Sequence, residues 1–215
     1  MTIAEHVQAQ AETPSPLPAE IAEIFHREQA ALRYVEPEGV IAPGAKLPDA
    51  ELTDPQGQDT TLGVALNDRP GVLVFYRGAW CPYCNIALHT YQSELLAELE
   101  DRGVALVAIS PQKPDGSLTM QEKHDLRFAV LSDAGNQLAR AAGILTAPTD
   151  EGLAAQKQLG LDLEAVNADG TSALPMPSTL IIDPDLTVRW VDVHPDYSTR
   201  SEPAEILAAL DALRE

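Results

Sequence analysis

Gly71-Val-Leu-Val-Phe-Tyr-Arg-Gly-Ala-Trp-Cys-Pro-Tyr-Cys-Asn85 combines a long apolar run with a pair of closely spaced cysteines. The run Val72–Tyr76 is apolar throughout, as in a strand that is buried on both faces. From Cys84 to about Leu99, apolar residues recur at every third or fourth position, which predicts an amphipathic helix. The stretch therefore predicts a buried strand that delivers the chain's two cysteines, Cys81 and Cys84, onto the first turn of a helix.

The position of the two cysteines predicts a redox site. A helix N-terminus presents unpaired backbone N–H groups and the positive end of the helix dipole, and both stabilise a thiolate. Residues three apart on a helical turn are neighbours, within the reach that a disulfide needs. Pro82 suits the first turn, where its missing N–H costs nothing. Cys84 is in phase with the apolar stripe, so we expect it to point inward and Cys81 to be the more exposed thiol.

Half of a zinc site and a pair of inert buried thiols are the two other interpretations. Zinc needs a second pair of ligands, and no two of the histidines form a close pair. The histidines are His6, His26, His89, His124 and His194. We therefore favour redox chemistry and expect neither a metal nor a cofactor. His89 lies off the cysteine face of the predicted helix, so we do not expect it to act as a base.

The motif Trp80-Cys-Pro-Tyr-Cys84 resembles the active site of the thioredoxin superfamily, in the form familiar from glutaredoxins. The segments Pro43–Asp49 and Glu51–Gly57 resemble the opening of the peroxiredoxin domain, which is also called the alkyl hydroperoxide reductase, thiol-specific antioxidant or redoxin family. Pro175–Asp183 resembles the strand near its active site. The resemblance covers about residues 40–214. It implies a thioredoxin-like α/β fold, in which helices flank a central mixed sheet with an N-terminal hairpin.

A chain of 215 residues suits one α/β domain with some elaboration. We divide it into an N-terminal helical extension at residues 1–39 and the redoxin domain at residues 40–215. Ala19–Leu32 predicts a helix in the extension, which either packs on the domain or helps to form a homodimer. Alternating strand and helix patterns after Pro43 predict right-handed crossovers and a mainly parallel core sheet.

Residues 144–174 interrupt this alternation. A loop of that size is often a lid or a substrate-facing segment, and a plain surface insertion fits equally well. The other predicted elements are a hairpin turning at Asp54–Gly57, a helical turn at Thr61–Leu66, strands at Val104–Ser110, Phe128–Leu131, Thr179–Asp183 and Thr187–Val193, and helices at Ser117–His124, Ala134–Ala142, Glu151–Leu159 and Pro203–Leu213, the last capped by Ser201.

The charge of the chain argues against two classes of partner. It carries 33 acidic and 14 basic residues, a net charge of −19, so nucleic acid and anionic membranes would be repelled. Met1–Ala11 has no basic start and no long apolar run, so we expect neither a signal peptide nor a membrane span. We expect a cytoplasmic protein, and there a Cys-x-x-Cys pair is more often catalytic than structural.

Pro177 is a second point at which the resemblance makes a prediction. In the thioredoxin fold a cis-proline at the start of the third core strand lies against the cysteine pair. The resemblance puts Pro177 at that position, so we expect a cis Met176–Pro177 bond and contact of both residues with substrate. The alternative is that Pro177, or its neighbour Pro175, merely begins an edge strand.

Two alignments of the motif assign the cysteines opposite roles. Aligned without gaps on peroxiredoxins, Cys84 falls on the cysteine that attacks peroxide. The peroxiredoxin pattern Pro-x-x-x-Thr-x-x-Cys then has proline and threonine where this chain has Arg77 and Cys81. The arginine that peroxiredoxins place near the later strand is also missing, since Pro177 and Ser178 stand there. Aligned on thioredoxin, Cys81 attacks and Cys84 resolves, with no departure at the motif.

The resemblance implies one of two reactions, with Cys81 and Cys84 catalytic in both. A thiol-dependent peroxidase reduces hydrogen peroxide or organic hydroperoxides through a dithiol–disulfide cycle, and an external dithiol such as a thioredoxin restores the thiols. A thiol–disulfide oxidoreductase exchanges with a substrate disulfide instead. A redoxin-fold binding protein without turnover is the third interpretation, which has no need of both sulfurs. We favour the peroxidase.

Several residues near the motif are predicted to contact the substrate. Arg77, at the strand end, would stabilise the thiolate or a peroxide oxygen, and a solvated surface arginine is the alternative. Trp80 and Tyr83 would shape the rim of the site, or simply pack. The full set of predicted substrate-binding residues is Arg77, Trp80, Pro82, Tyr83, Met176 and Pro177.

Overall fold

The computed structural model describes residues 1–13, 17–114, 121 and 125–214. The strands in these ranges are β1 (Glu51–Thr53), β2 (Asp59–Thr61), β3 (Gly71–Phe75), β4 (Ala105–Ser110), β5 (Ala129–Ser132), β6 (Leu145–Thr146), β7 (Leu174–Pro175), β8 (Ser178–Ile182) and β9 (Val188–Val193). The helices are α1 (Ile3–Glu12), α2 (Ala19–Leu32), α3 (Leu62–Leu66), α4 (Pro82–Thr90), α5 (Leu96–Asp101), α6 (Gln137–Ala141), α7 (Asp150–Gln158), α8 (Leu163–Val166) and α9 (Pro203–Ala212).

The described strands form a seven-stranded sheet in the order β2-β1-β5-β4-β3-β8-β9, and β6 pairs with β7 in a small second sheet. Strand β3 runs parallel to β4, and β4 runs parallel to β5. On its other side β3 pairs antiparallel with β8. The mixed sheet of a thioredoxin-like fold is thus confirmed, but its parallel part is confined to β3, β4 and β5, so the prediction of a mainly parallel sheet is wrong.

Strand β3 is buried along its whole length, as its apolar sequence predicts. Because successive side chains of a strand point to opposite faces, the strand contributes to two apolar clusters. Val72 and Val74 belong to the cluster that contains both cysteines and the helix α4. Leu73 and Phe75 belong to the cluster on the opposite face. Strand β3 therefore contributes side chains to both apolar clusters of the core, one on each face of the sheet.

A π-helical turn at Tyr91–Leu95 divides the long helix that the sequence predicts from Cys84 to Leu99. The apolar stripe is confirmed, since Leu88, Tyr91, Leu95 and Leu99 are all buried. Such a turn inserts one residue into an α-helix and shifts the phase of the helical residues after it. Periodicity alone does not detect a one-residue insertion, because the residues on either side keep a helical pattern.

Two helices precede the first strand. Helix α2 coincides with the predicted Ala19–Leu32, whereas α1 was not predicted. Helix α1 begins with a capping box of Thr2 and Glu5. The carboxylate of Glu202 accepts hydrogen bonds from the backbone N–H groups of Ile3 and Ala4, both at 2.8 Å, and so docks the start of α1 on the domain.

Most of the other predicted elements are confirmed within one to three residues, including the hairpins β1–β2 and β8–β9. The predicted helix Ser117–His124 lies outside the described residues except for Gln121. Helix α9 is capped by Glu202 and not by Ser201.

Residues 144–174 are more ordered than the predicted loop, since they hold β6, α7, α8 and the first residue of β7. The division of the chain at residue 40 stays a prediction. No helix in the described ranges has the length and apolarity of a membrane span.

Candidate active site

The turn between β3 and α4 brings the two cysteines to the start of the helix. Gly78 has a φ of +146°, and a Cβ there would collide with the indole nitrogen of Trp80, so the turn requires glycine. Cys81 is the N-cap residue of α4, and Pro82 occupies its first turn. The predicted delivery of both thiols by a buried strand onto a helix N-terminus is confirmed.

Both cysteines are free thiols, and both are buried. Cys84 points inward as expected, at 0% exposed, but Cys81 is only 1% exposed, so the expected exposure of Cys81 is absent. Two residues of the N-terminal helices lie close to this site. Ile3 of α1 lies in the same apolar cluster as both cysteines, and Gln29 of α2 donates a hydrogen bond to the hydroxyl of Tyr83 at 3.0 Å.

Cys84 lies among groups that stabilise a negative charge on its sulfur. Arg200 Nη2 donates to Cys84 Sγ at 3.0 Å, and the backbone N–H of Arg77 donates to it at 3.5 Å. Burial alone would raise the pKa of this thiol. The hydrogen bond from Cys81, the Arg200 guanidinium and the Arg77 N–H outweigh burial and hold the pKa of Cys84 well below its usual value. Cys84 is therefore the thiolate of the pair.

Cys81 has the opposite protonation state. Burial raises the pKa of its thiol, and the hydrogen bond that it donates to Cys84 and the charge of Cys84 raise it further. Of the two thiols, Cys81 is therefore the one whose surroundings favour the protonated form.

Arg200 is a second arginine of the site, which the sequence analysis did not single out. It comes from the segment between β9 and α9, 116 positions after Cys84. Arg200 is 7% exposed, and its Nη1 donates to the carbonyl oxygen of Tyr197 at 2.8 Å. No motif marks this residue, and its place just before a predicted helix was the only available signal.

Two hydrogen bonds hold Ser201, the residue that follows Arg200 in the chain. Ser201 Oγ donates to the carboxylate of Asp192 at 2.8 Å, and Tyr91 Oη donates to the carbonyl oxygen of Ser201 at 2.7 Å. His194 also binds that carboxylate at 2.9 Å through Nε2. The hydrogen bond from His194 keeps the pKa of Asp192 below its usual value, so the acceptor stays charged.

Arg77 is not a solvated surface arginine, since it is 6% exposed. Its guanidinium carbon lies 4.0 Å from the ring centre of Tyr197 and 5.0 Å from that of Trp80. Both contacts are in the range of cation–π attraction. The two rings therefore hold the Arg77 side chain next to the cysteine pair.

The other predicted substrate-binding residues divide into two groups. Met176 and Pro177 line a cavity of about 110 Å³ together with Arg77 and Tyr197. Trp80, Pro82 and Tyr83 are not among its lining residues. Trp80 and Tyr83 are half-buried, and Pro82 is exposed at the start of α4.

The prediction of a cis bond before Pro177 is wrong, because none of the described peptide bonds is cis. The Met176 N–H donates to the carbonyl oxygen of Ile144 at 2.7 Å, and the His194 N–H donates to that of Pro177 at 2.8 Å. Pro177 therefore leads directly into β8, which lies between β3 and β9 and is not an edge strand. The trans form is the one that X-Pro bonds prefer, by about 0.5–1 kcal/mol.

Comparison with known sequences finds similarity over most of this fold. The sequence profile of the AhpC/TSA family matches residues 43–191. The thiol-disulfide oxidoreductase ResA of Bacillus cereus is 27% identical over 119 residues, which are 54% of this chain and 66% of that protein. The peroxiredoxin Bcp of Escherichia coli is 32% identical over 111 residues, 49% of this chain and 64% of that protein. The match thus spans less than two thirds of each relative.

Solved structures agree on the fold. The peroxidoxin BcpB of Mycobacterium tuberculosis superposes with a TM-score of 0.62 at 24% identity, over 81% of this chain and 99% of that one. Reduced Prx3 of Vibrio vulnificus, in complex with hydrogen peroxide, gives a TM-score of 0.63 at 22% identity, over 79% and 99% of the two chains. At these identities the likeness is one of fold.

Proposed function

The chain belongs to the AhpC/TSA family, and from that premise we propose that it is a thiol-dependent peroxidase. It reduces hydrogen peroxide or organic hydroperoxides through a dithiol–disulfide cycle of Cys81 and Cys84. One observation carries the proposal: the guanidinium of Arg200 lies 3.0 Å from the sulfur of Cys84, in a site where that sulfur is completely buried. A buried, charge-stabilised thiolate suits a substrate of a few atoms.

Cys84 is the attacking thiol in this proposal. Its thiolate attacks one peroxide oxygen, the O–O bond breaks, and Cys84 becomes a sulfenic acid. The other oxygen leaves with the electron pair of the broken bond and takes up a proton from solvent, which yields water or an alcohol. Arg200 and Arg77 offer the positive charge that stabilises this leaving oxygen.

Cys81 is the resolving thiol. Once Cys84 is a neutral sulfenic acid, its charge no longer raises the pKa of Cys81. The Cys81 sulfur then attacks the Cys84 sulfur, the S–S bond forms, and hydroxide leaves with the Cys81 proton as water. The two residues are neighbours at the helix start, so a disulfide is within reach. An external dithiol, such as a thioredoxin, reduces the disulfide.

The cavity beside Arg77 is the proposed substrate-binding site. Its lining includes Met176, Pro177, Arg77 and Tyr197. Because most of the lining is apolar, the site accepts the carbon chain of an organic hydroperoxide as well as hydrogen peroxide. Trp80, Pro82 and Tyr83 are assigned to the surface that the reductant approaches.

Thiol–disulfide exchange is the second candidate, and the similarity to ResA favours it. In that reaction an exposed Cys81 of lowered pKa would attack a substrate disulfide. In this structure Cys81 is buried and its pKa is raised, which argues against it.

The state of the two cysteines also supports a proposal for the compartment and the partners of the reaction. The two free thiols fit a reducing cytoplasm, where we place the protein. Its partners would be a peroxide and a dithiol reductant, with neither nucleic acid nor membrane among them.

Stopped-flow tryptophan fluorescence of the reduced protein mixed with hydrogen peroxide tests the proposal, because Trp80 adjoins Cys81. We expect a fast change, proportional to peroxide concentration, in the parent and in Cys81→Ser, and none in Cys84→Ser. A parent that reacts no faster than a free thiol would refute the peroxidase. A response that is lost in Cys81→Ser and kept in Cys84→Ser would reverse the two roles.

A further inference from the structure

Glu28 is a buried carboxylate in a part of the chain that the family profile does not cover. It belongs to α2, precedes the matched residues 43–191, and is only 7% exposed. Buried carboxylates are rare unless they are paired or hydrogen-bonded. The groups that Glu28 binds therefore indicate why it is there.

One oxygen of Glu28 binds the start of α7. Oε1 accepts hydrogen bonds from the backbone N–H of Thr149 at 2.9 Å and from its hydroxyl at 3.0 Å. Thr149 is the N-cap of α7, so the carboxylate lies at the positive end of that helix. A Cβ on Gly152 would lie 2.6 Å from Oε1, so the glycine leaves the space that Glu28 occupies.

The other oxygen of Glu28 points toward the active site. Tyr197 Oη donates to Glu28 Oε2 at 3.0 Å. The ring of Tyr197 lies 4.0 Å from the guanidinium carbon of Arg77. The charge of that guanidinium lowers the pKa of Cys84, and the backbone N–H of the same residue donates to the Cys84 sulfur. A series of contacts thus runs from α7 through Glu28 and Tyr197 to the arginine whose charge acts on the thiolate.

We propose that Glu28 is a positioning residue, which fixes the ring of Tyr197 and through it the guanidinium of Arg77 beside Cys84. The carboxylate also makes the phenol ring more electron-rich, which strengthens its attraction for Arg77. Helix α2, which lies outside the family match, and the segment of residues 144–174 meet at this residue. Through Glu28 the two segments together support the active-site arginine. The importance of Glu28 for catalysis rests on the proposed peroxidase function, but its effect on the thiolate does not.

The direction in which the pKa of Cys84 changes when Glu28 is neutralised distinguishes this role from the alternatives. If Glu28 acted only through its negative charge, its neutralisation would lower the pKa of the nearby thiol. If it positions Arg77, neutralisation releases a cation from the thiolate, and the pKa of Cys84 rises. A residue that merely stabilises the fold would leave the pKa unchanged.

The experiment measures the pKa of Cys84 in a Cys81→Ser background, from thiolate absorbance and from the pH dependence of alkylation by iodoacetamide. We expect Glu28→Gln and Tyr197→Phe each to raise it by about half a unit to one unit. Since both act through one hydrogen bond, the double variant should show no larger shift than either single one. Glu23→Gln, an exposed glutamate on the same helix, is the matched control and should show no shift.

An unchanged or lowered pKa in Glu28→Gln would overturn the proposal, and so would additive shifts in the double variant. If Glu28→Gln fails to fold, Gly152→Ala, which displaces the carboxylate, and Tyr197→Phe carry the test. The peroxide reaction of Glu28→Gln should also slow by about tenfold, because Arg77 is misplaced. A parent that does not react with peroxide would refute the proposed function and leave the pKa result intact.

Discussion

The guanidinium of Arg200 lies 3.0 Å from the sulfur of Cys84, although 116 positions separate the two residues in the chain. The arginine is buried, and burial alone would lower its pKa, but the neighbouring cysteine charges raise it. The two groups therefore hold each other in their charged forms. The charge interaction between Arg200 and Cys84 is therefore the central electrostatic contact of the site.

Replacement of Arg200 by methionine should abolish most of the activity. The variant keeps the apolar stem and loses the cation, so the pKa of Cys84 should rise and the rate with peroxide should fall by about a hundredfold or more. Arg200→Lys should recover only part of the rate. An ammonium group lacks the two planar N–H donors with which the guanidinium binds the Cys84 sulfur and the Tyr197 carbonyl oxygen. Arg140→Met, at an exposed position, is the control. An Arg200→Met enzyme with the parent's rate would contradict the assignment.

The pH dependence of alkylation should differ between the two cysteines. Cys84, whose pKa is lowered, should react with iodoacetamide at a constant rate at neutral pH and lose reactivity only in acid. Cys81, whose pKa is raised, should react only in alkaline solution. Tandem mass spectrometry of the labelled parent protein, which locates the modified cysteine, distinguishes them. Equal pH profiles for the two thiols would contradict their opposite protonation states.

The same lowered pKa predicts a dependence of stability on pH. A thiol whose pKa is lower in the folded state contributes stability that is full above its unfolded pKa of about 8.5 and is lost as pH falls through the folded value. The unfolding free energy of the reduced parent, relative to that of Cys84→Ser, should therefore rise with pH across neutrality and level off in alkaline solution. Urea titrations at several pH values measure this difference in unfolding free energy. A difference that became smaller as pH rose would contradict the lowered pKa of Cys84.

Gly143→Ala should destabilise the fold far more than Gly135→Ala. Both glycines have a positive φ, +69° and +81°, so the backbone strain of about 1 kcal/mol is common to the two variants. A Cβ at Gly143 would collide with the carbonyl group of Gly39, whereas Gly135 faces open space. We expect about 2–4 kcal/mol of further loss at Gly143. Similar urea midpoints for the two variants would show that residue 39 can move away at little cost.

Tyr91→Phe tests the support of the Arg200 segment. The buried hydroxyl donates to the carbonyl of Ser201 at 2.7 Å, and its loss leaves that carbonyl short of a partner. We expect a loss of about 1–2 kcal/mol in unfolding free energy and a slower reaction with peroxide. Tyr34→Phe, at a residue that is 86% exposed, should change neither quantity. Parent-like stability of Tyr91→Phe would mean that the hydroxyl does not help to hold Arg200.

The predictions from sequence succeeded where the signal is local. The apolar run of β3, the stripe of α4 and the turn at Asp54–Gly57 each depend on residues that lie next to one another in the chain, and each is confirmed. The position of both cysteines at one helix start was predicted from the same short stretch.

The errors concern contacts between distant segments. Arg200 reaches Cys84 only through the folding of β9 against β8, which no pattern around Arg200 reveals. Cys81 lies in an apolar cluster with Ile3, from the start of the chain, so its own sequence context could not predict its exposure. The cis bond before Pro177 was predicted from resemblance alone, and the described peptide bonds are all trans.

The burial of both sulfurs makes the two halves of the proposed catalytic cycle unequal. A peroxide brings only a few atoms to the sulfur, but a protein dithiol must touch a sulfur that the closed fold does not present. Reduction therefore requires the first turn of α4 to open, at a free-energy cost that hydrogen exchange of its amides would measure. We expect the turnover rate at saturating peroxide to follow that opening equilibrium, so that the local stability of one helical turn, rather than the chemistry at oxygen, limits how fast the protein works.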